Sequence, residues 1–226
     1  GSDNCPGSST SQTAGLASGA TFPIGTTTQT FVVTDASGNT ASCSFTVTVT
    51  DNQNPTITCP ANISVNNDAG VCGALVTFVA PTGTDNCPGS STSQTAGLAS
   101  GATFPIGTTT QTFVVTDASG NTANCSFTVT VTDNQNPTIT CPANISVNND
   151  AGVCGAVVTF NAPTGSDNCP GSSTSQTTGL ASGATFPIGT TTQTFVATDA
   201  SGNTASCSFT VTVTDNQAPT ITCPAN

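Results

Sequence analysis

The sequence predicts an all-β protein made of tandem antiparallel β-sandwiches stapled by disulfides. Three observations lead there: a long internal repeat, strict two-residue apolar alternation, and cysteines recurring at constant spacing. Cys5, Cys87 and Cys169 lie 82 residues apart, as do Cys43, Cys125 and Cys207. The same interval separates Cys59, Cys141 and Cys223, and also Cys72 from Cys154. A unit of about 80 residues exceeds the usual solenoid repeat and is long enough to bury one small core. Each repeat is therefore expected to be its own domain.

The periodicity inside a repeat is that of strands. Along "CSFTVTVT" (Cys125–Thr132), Cys125, Phe127, Val129 and Val131 share one face while Ser and Thr take the other. "GALVTFVAP" (Gly73–Pro81) offers Ala74, Val76, Phe78 and Ala80 on its inner face. The copies check this parity: Leu75 becomes Val157 and Val79 becomes Asn161, both on the face read as outward. A Val-to-Asn change is costly in a core and cheap in water. Further strands are expected at Thr56–Val65, Ser91–Leu98, Ala102–Ile106 and Thr110–Asp117, the first forming a hairpin with the strand after Cys72. "NNDAG", "FPIGT" and "DASGN" supply the turns, and the Thr-rich stretches "TVTVT" and "TTTQT" read as outward faces. No run carries a 3.6-residue apolar stripe. Short strands with a turn signal about every ten residues indicate an antiparallel sandwich of immunoglobulin type.

Composition narrows function by exclusion. The chain has no Lys, Arg or His, and its eleven acidic residues are all Asp, for a formal charge of −11. Nucleic-acid binding and polybasic membrane contact lack the cations they require. No apolar run approaches the roughly 18 residues of a membrane span. Catalysis lacks His, Glu and any base to activate Ser, so no enzyme is expected. Eleven cysteines without a histidine fit disulfides and an oxidising, extracellular setting.

Strand order suggests how the sulfurs pair. With the "DNC" loop and the "DASGN" turn at one pole of the sandwich, Cys87 is expected to bond Cys125, leaving Cys59 for Cys72. By repetition this yields the pairs Cys5–Cys43, Cys141–Cys154 and Cys169–Cys207. Four cysteines allow three connectivities, and a bond from Cys72 to Cys141 of the next repeat is the main competitor. Cys223 opens the first strand of a further repeat, so its partner is expected beyond Asn226. The domains are then 1–50, the latter part of a repeat; 51–132 and 133–214, complete repeats; and 215–226, the first strand of another. The chain reads as an excerpt from a longer array.

The stretch from Cys59 to Val131 resembles the hyalin repeat, or HYR module. The resemblance rests on the "CPANI" opening, "DNC", "FPIGTTT", "TDASGN" and the closing "CSFTV", present in order in both complete repeats. It implies an immunoglobulin-like sandwich from extracellular matrix or a large bacterial surface protein associated with adhesion. A structural role follows as the leading expectation: a durable spacer in a stalk or filament. A glycan- or protein-binding module is the alternative.

No cofactor is implied, with calcium the one candidate. "TDNQNP" packs Asp133, Asn134 and Asn136 into the junction, with Asp51 and Asn52 at the equivalent place one repeat earlier, and Asp85 of "DNC" approaching from the same pole. The plain alternative is turn formation by Asn and Asp. Asp117 is expected to accept backbone N–H groups in its own turn. Asn62 and Asn144 in "NIS" fit the N-glycan acceptor pattern. The partners expected are other repeats of the same chain, with homo-assembly into filaments through edge strands, and neither nucleic acid nor membrane.

Overall fold

The computed structural model describes residues 1–223. Every regular element among them is a strand. Residues 1–49 form β1 (Ser9–Ala14), β2 (Gly25–Thr34) and β3 (Thr40–Val49). The next repeat contains β4 (Ile63–Asn66), β5 (Gly73–Val76), β6 (Ser91–Ala96), β7 (Ala102–Pro105), β8 (Gly107–Thr116) and β9 (Thr122–Thr132). After it come β10 (Thr138–Ile139), β11 (Ile145–Asn148), β12 (Gly155–Val157) and β13 (Gly165–Ser166). The last four are β14 (Ser173–Thr178), β15 (Thr185–Pro187), β16 (Gly189–Thr198) and β17 (Thr204–Thr214). The contacts divide the chain into two compact units. One gathers Gly1–Cys59, Pro81–Thr95 and Phe113–Cys125; the other gathers Pro60–Ala80, Ala96–Thr112 and Ser126 onward.

The second unit shows one whole repeat. A four-stranded sheet runs β11-β17-β16-β14, faced by the short pair β12-β15, with β10-β13 as a third small sheet. The long hairpin β16–β17 pairs Gly189 with Val213 through to Thr198 with Thr204, without a bulge. Strand parity therefore holds along its whole length, and Phe195, Ala197, Phe209, Val211 and Val213 are all buried. Ala156, Val158 and Phe186 close the core from the facing pair. Phe160 sets its edge against Phe186, Phe195 and Phe209, with ring centroids 5.1–6.4 Å apart. On the outer face Thr190 meets Thr212, and Thr194 meets Ser208, each pair of hydroxyls 3.1 Å apart.

Residues 1–49 show what the early strands of a repeat contribute. There β1-β2-β3 make a lone three-stranded sheet. Phe45 is 55% exposed, whereas its counterpart Phe209 is 2% exposed beneath β11 and β12. Apolar parity chooses the face, and the facing strands exclude the water.

Three expectations about the strands are corrected. Thr56–Val65 is not one strand: Thr56 bridges to Thr84, and β4 begins only at Ile63. Pro60 interrupts it, since proline lacks an N–H and restricts the residue before it. The first hairpin is absent too. β4 adds to the long sheet parallel to β9, whereas β5 pairs with β7 in the other layer. Gly73–Pro81 ends as a strand at Val76, so Ala80 is exposed and Phe78 half-buried. The Phe78 N–H donates to Ser100 Oγ at 2.8 Å, and that hydroxyl donates back to the Phe78 carbonyl at 2.7 Å.

Parallel docking of the first strand overturns the expected sulfur pairing. Ile63 lies opposite Val129, and Cys59 and Cys125 each stand four residues earlier on their strands. The register thus carries the two sulfurs together, and Cys59 bonds Cys125 across a separation of 66. Cys141–Cys207 repeats this bond, with Ile145 opposite Val211. The pairs Cys59–Cys72, Cys87–Cys125, Cys141–Cys154 and Cys169–Cys207 are therefore wrong. Cys72 bonds Cys169 of the following repeat, not Cys141. The expected Cys5–Cys43 bond is absent as well: both are exposed thiols, as are Cys154 and Cys223, and Cys87 is a half-buried one.

Candidate functional site

Chemistry-bearing groups collect where the "DNC" and "DNQ" loops meet. Asp133 follows β17's counterpart β9 directly and is 4% exposed. Its carboxylate accepts the Gln135 N–H at 3.1 Å on Oδ1 and the Ser201 hydroxyl at 3.4 Å on Oδ2. Asn203 Nδ2 donates to the Asp133 carbonyl at 3.1 Å. Asp167 folds its Oδ2 back onto the Cys169 N–H at 2.8 Å, which turns the loop and leaves Oδ1 buried without a partner. Asn168 Oδ1 is likewise unpartnered, while its Nδ2 donates to the Val71 carbonyl at 3.0 Å. Donor atoms of Asp133, Asp167 and Cys169 lie within 4.8 Å of one another, and Asp51, Asp85 and Cys87 gather in the same way in the other unit.

This arrangement suits a hard cation only through oxygen. Cys169 is spent in its bond to Cys72, leaving two carboxylates and the Asn168 carbonyl. Among the residues expected to hold calcium, Asp51 and Asp85 are brought together, and Asp133 sits at the equivalent place. Asn52, Asn134 and Asn136 are not: all three are exposed. The Asn134 N–H instead donates to Asn67 Oδ1 at 3.1 Å. Asp167 and Asn168 are the members sequence reasoning missed, although the shared "DNC" string was the available signal. The half-buried Cys87 thiol is pushed up by burial and by the carboxylates of Asp51, Asp85 and Asp117.

Asp117 and Asp199 occupy the turn position expected from parity. Burial would raise the Asp199 pKa, but hydrogen bonds from Asn203 Nδ2 and from the N–H groups of Asn203, Ser201 and Gly202 outweigh it and hold the carboxyl below its usual value. Asp117 is lowered by the same balance, with Asn121, Ser119 and Gly120 as donors. Asn62 and Asn144 are exposed, and their Oδ1 atoms accept the N–H groups of Thr128 and Thr210, both at 2.9 Å. In this way each "NIS" asparagine fastens the entry of β4 or β11 to the long strand beside it.

One buried polar group was not foreseen. The "TTTQT" stretch was read as an outward face, yet Gln193 is fully buried. It has the parity of Phe195, and its amide fills the space over Gly179. A Cβ at Gly179 would stand 2.0 Å from Gln193 Oε1. Gln176 Nε2 donates to that oxygen at 2.7 Å.

A family model described as "HYR domain" matches residues 2–49, 50–131 and 132–213. The chain is 41% identical over 219 residues to "Hyalin" of Strongylocentrotus purpuratus, covering 92% of this chain and 18% of that protein. It is 34% identical over 213 residues to "Hyalin" of Lytechinus variegatus, covering 90% and 40%. A "Serine-rich adhesin for platelets" of Staphylococcus aureus is 32% identical over 197 residues, covering 76% and 8%. The chain thus spans less than half the length of each of these relatives. Among solved structures, the Drosophila N-cadherin fragment EC1-3 superposes with a TM-score of 0.38 at 11% identity, over 95% of this chain and 91% of that one.

Proposed function

Because the chain belongs to the HYR domain family, we propose that its repeats, each folding as a domain of about 80 residues, serve as a durable spacer in an extracellular stalk or filament. The chain is an extracellular or cell-surface, adhesion-related repeat region, as its hyalin and adhesin relatives are. The observation that carries the spacer reading is the clamp repeated as Cys59–Cys125 and Cys141–Cys207. Each bond ties the opening of a repeat to its last long strand, so the repeat cannot unzip from its entry side without breaking sulfur. Local opening is what most proteases need. Trypsin-like enzymes also find no Lys or Arg to cut after. The test is digestion by elastase with and without reductant. Slow cutting of the oxidised chain and fast cutting of the reduced one is expected. Equally fast cutting of both would remove durability from the proposal.

A second reading concerns stiffening by calcium, favoured by the unpartnered oxygens of Asp167 and Asn168 beside the buried Asp133 carboxylate. Asp133, Asp167 and Asn168 would hold the ion, with Asp51 and Asp85 at the equivalent place. The ion would neutralise carboxylates brought close together. Extracellular calcium modules bind at about 0.1–1 mM. Titration calorimetry should therefore register binding in that range and lose it in Asp167→Asn. Absence of heat up to about 10 mM calcium would end this reading.

A further inference from the structure

The bond between Cys72 and Cys169 is one part of a joint made by both strings around it. Gly70 N–H donates to Gln135 Oε1 at 2.7 Å, Asn134 N–H donates to Asn67 Oδ1, and Asn168 Nδ2 donates to the Val71 carbonyl. The loop carrying Cys72 is held in shape by its own aspartate: Leu75 N–H donates to Asp68 Oδ2 at 2.8 Å, and Val71 N–H to the Asp68 carbonyl at 3.0 Å. The "DNC" loop inserts its asparagine and its sulfur against that shape.

The receiving half of this joint occurs a second time, complete and open. Gly152 N–H donates to Gln217 Oε1 at 3.0 Å, and Asn216 N–H to Asn149 Oδ1 at 3.2 Å. Val157 N–H donates to Asp150 Oδ2 at 2.9 Å, and Val153 N–H to the Asp150 carbonyl at 3.0 Å. These match the bonded loop contact for contact. Beside them a concavity of about 350 Å³ is lined by Asn149, Val153, Cys154, Gln217 and Pro219. The Cys154 thiol is exposed at this place. The inserting half is also preformed: the Cys5 N–H donates to Asp3 Oδ2 at 3.1 Å, as Cys87 and Cys169 do to their own aspartates at 2.9 and 2.8 Å.

We propose that the Asn149–Cys154 loop with Gln217 is a docking half-site for the Asp-Asn-Cys loop of a second copy of this repeat, closed by a disulfide from Cys154. Between separate chains the accessible inserting loop is that of Cys5, which is exposed, whereas Cys87 is half-buried. Contact thus runs head to tail, and successive copies are joined by sulfur. A disulfide such as oxidised glutathione is the oxidant. The Cys154 thiolate attacks one of its sulfurs, forming a mixed disulfide and releasing one glutathione thiolate. The Cys5 thiolate of the second chain then attacks the Cys154 sulfur, and a second glutathione thiolate leaves. Both thiol protons pass to buffer, and the two electrons reside on the two glutathiones.

This joint deepens the spacer reading, yet its readout is separate, since a chain that elastase cuts quickly can still couple end to end. The full chain, concentrated in a glutathione redox buffer, is examined by non-reducing electrophoresis and by mass mapping after digestion at Asp. A ladder of linked chains is expected, with Cys154–Cys5 peptides at least tenfold above Cys154–Cys43 and Cys154–Cys223. The preference should fall towards one in denaturant. Cys154→Ser and Cys5→Ser should each abolish the ladder while circular dichroism stays unchanged, and Cys43→Ser should leave it intact. Indiscriminate linkage of Cys154 under native conditions, or a Cys154 that stays a thiol, would overturn the proposal.

Discussion

Removing the clamp in Cys141→Ala/Cys207→Ala should destabilise its repeat far more than removing the neighbouring cysteine in Cys154→Ser. The bond closes a loop with a sequence separation of 66. Chain-entropy arithmetic for that length gives about 14–15 cal/mol/K, or about 4 kcal/mol at 25 °C. For a domain of this size that loss lowers Tm by roughly 15–30 °C. Cys154 is an exposed thiol, so its replacement should change stability by less than about 0.5 kcal/mol. Were Cys141 bonded to Cys154 instead, the 13-residue loop would be worth about 3 kcal/mol, and Cys154→Ser would forfeit it. Native-state hydrogen exchange at the amides of Phe195 and Phe209 reads the stability of this repeat alone. Equal losses in the two variants, or a loss under about 1 kcal/mol in the double variant, would refute the register argument for the pairing.

Gly179→Ala should cost several kcal/mol, about 3 by comparison with other overpacked cores, because its φ is +97° and the new Cβ would meet the Gln193 amide. A urea melt checks it. Gln193→Met should lie within about 1 kcal/mol of the parent, despite losing the Gln176 hydrogen bond, since it also removes a buried Nε2 that has no partner. Gln176 Nε2 keeps the carbonyls of Thr178 and Leu180 as acceptors. Acid should weaken the fold through Asp117 and Asp199. Their folded pKa values lie below the ordinary 3.8, so their contribution is fully present above that pH and is lost as pH falls through the folded values. Urea midpoints should stay flat from neutral pH down to about 5 and decline below about 4, and Asp199→Asn should flatten that decline.

Strand identity in this chain is a local matter and was legible. Phe127, Val129 and Val131 alternate with Ser and Thr, and all three are buried. Leu75 and Val79 drift between copies, and they are 61% and 87% exposed. The turn at Asp117 followed from the same parity. Gln193 could have been read the same way, since it shares the parity of Phe195, but polarity outweighed position in the reading. The acid pair was half legible: Asp51 and Asp85 were named together, whereas Asp167 and Asn168 become candidates only when the "DNC" loop is seen against Asp133.

The sequence by itself determined the repeat, the all-β class, the faces of the long strands and the absence of the side chains that nucleic-acid binding would need. Those properties depend on residues two apart on one strand or on composition, and neither requires knowing which strands are neighbours. The tertiary structure alone decided which sulfurs meet. Cys59 and Cys72 are close in sequence, yet between them the chain passes from one sheet to the other. A parallel partner 66 residues away then offers the nearer sulfur. Cys72 reaches forward into the next repeat because its loop faces the junction rather than the core. Sequence spacing sets how much entropy a bond removes; strand register sets whether it can form.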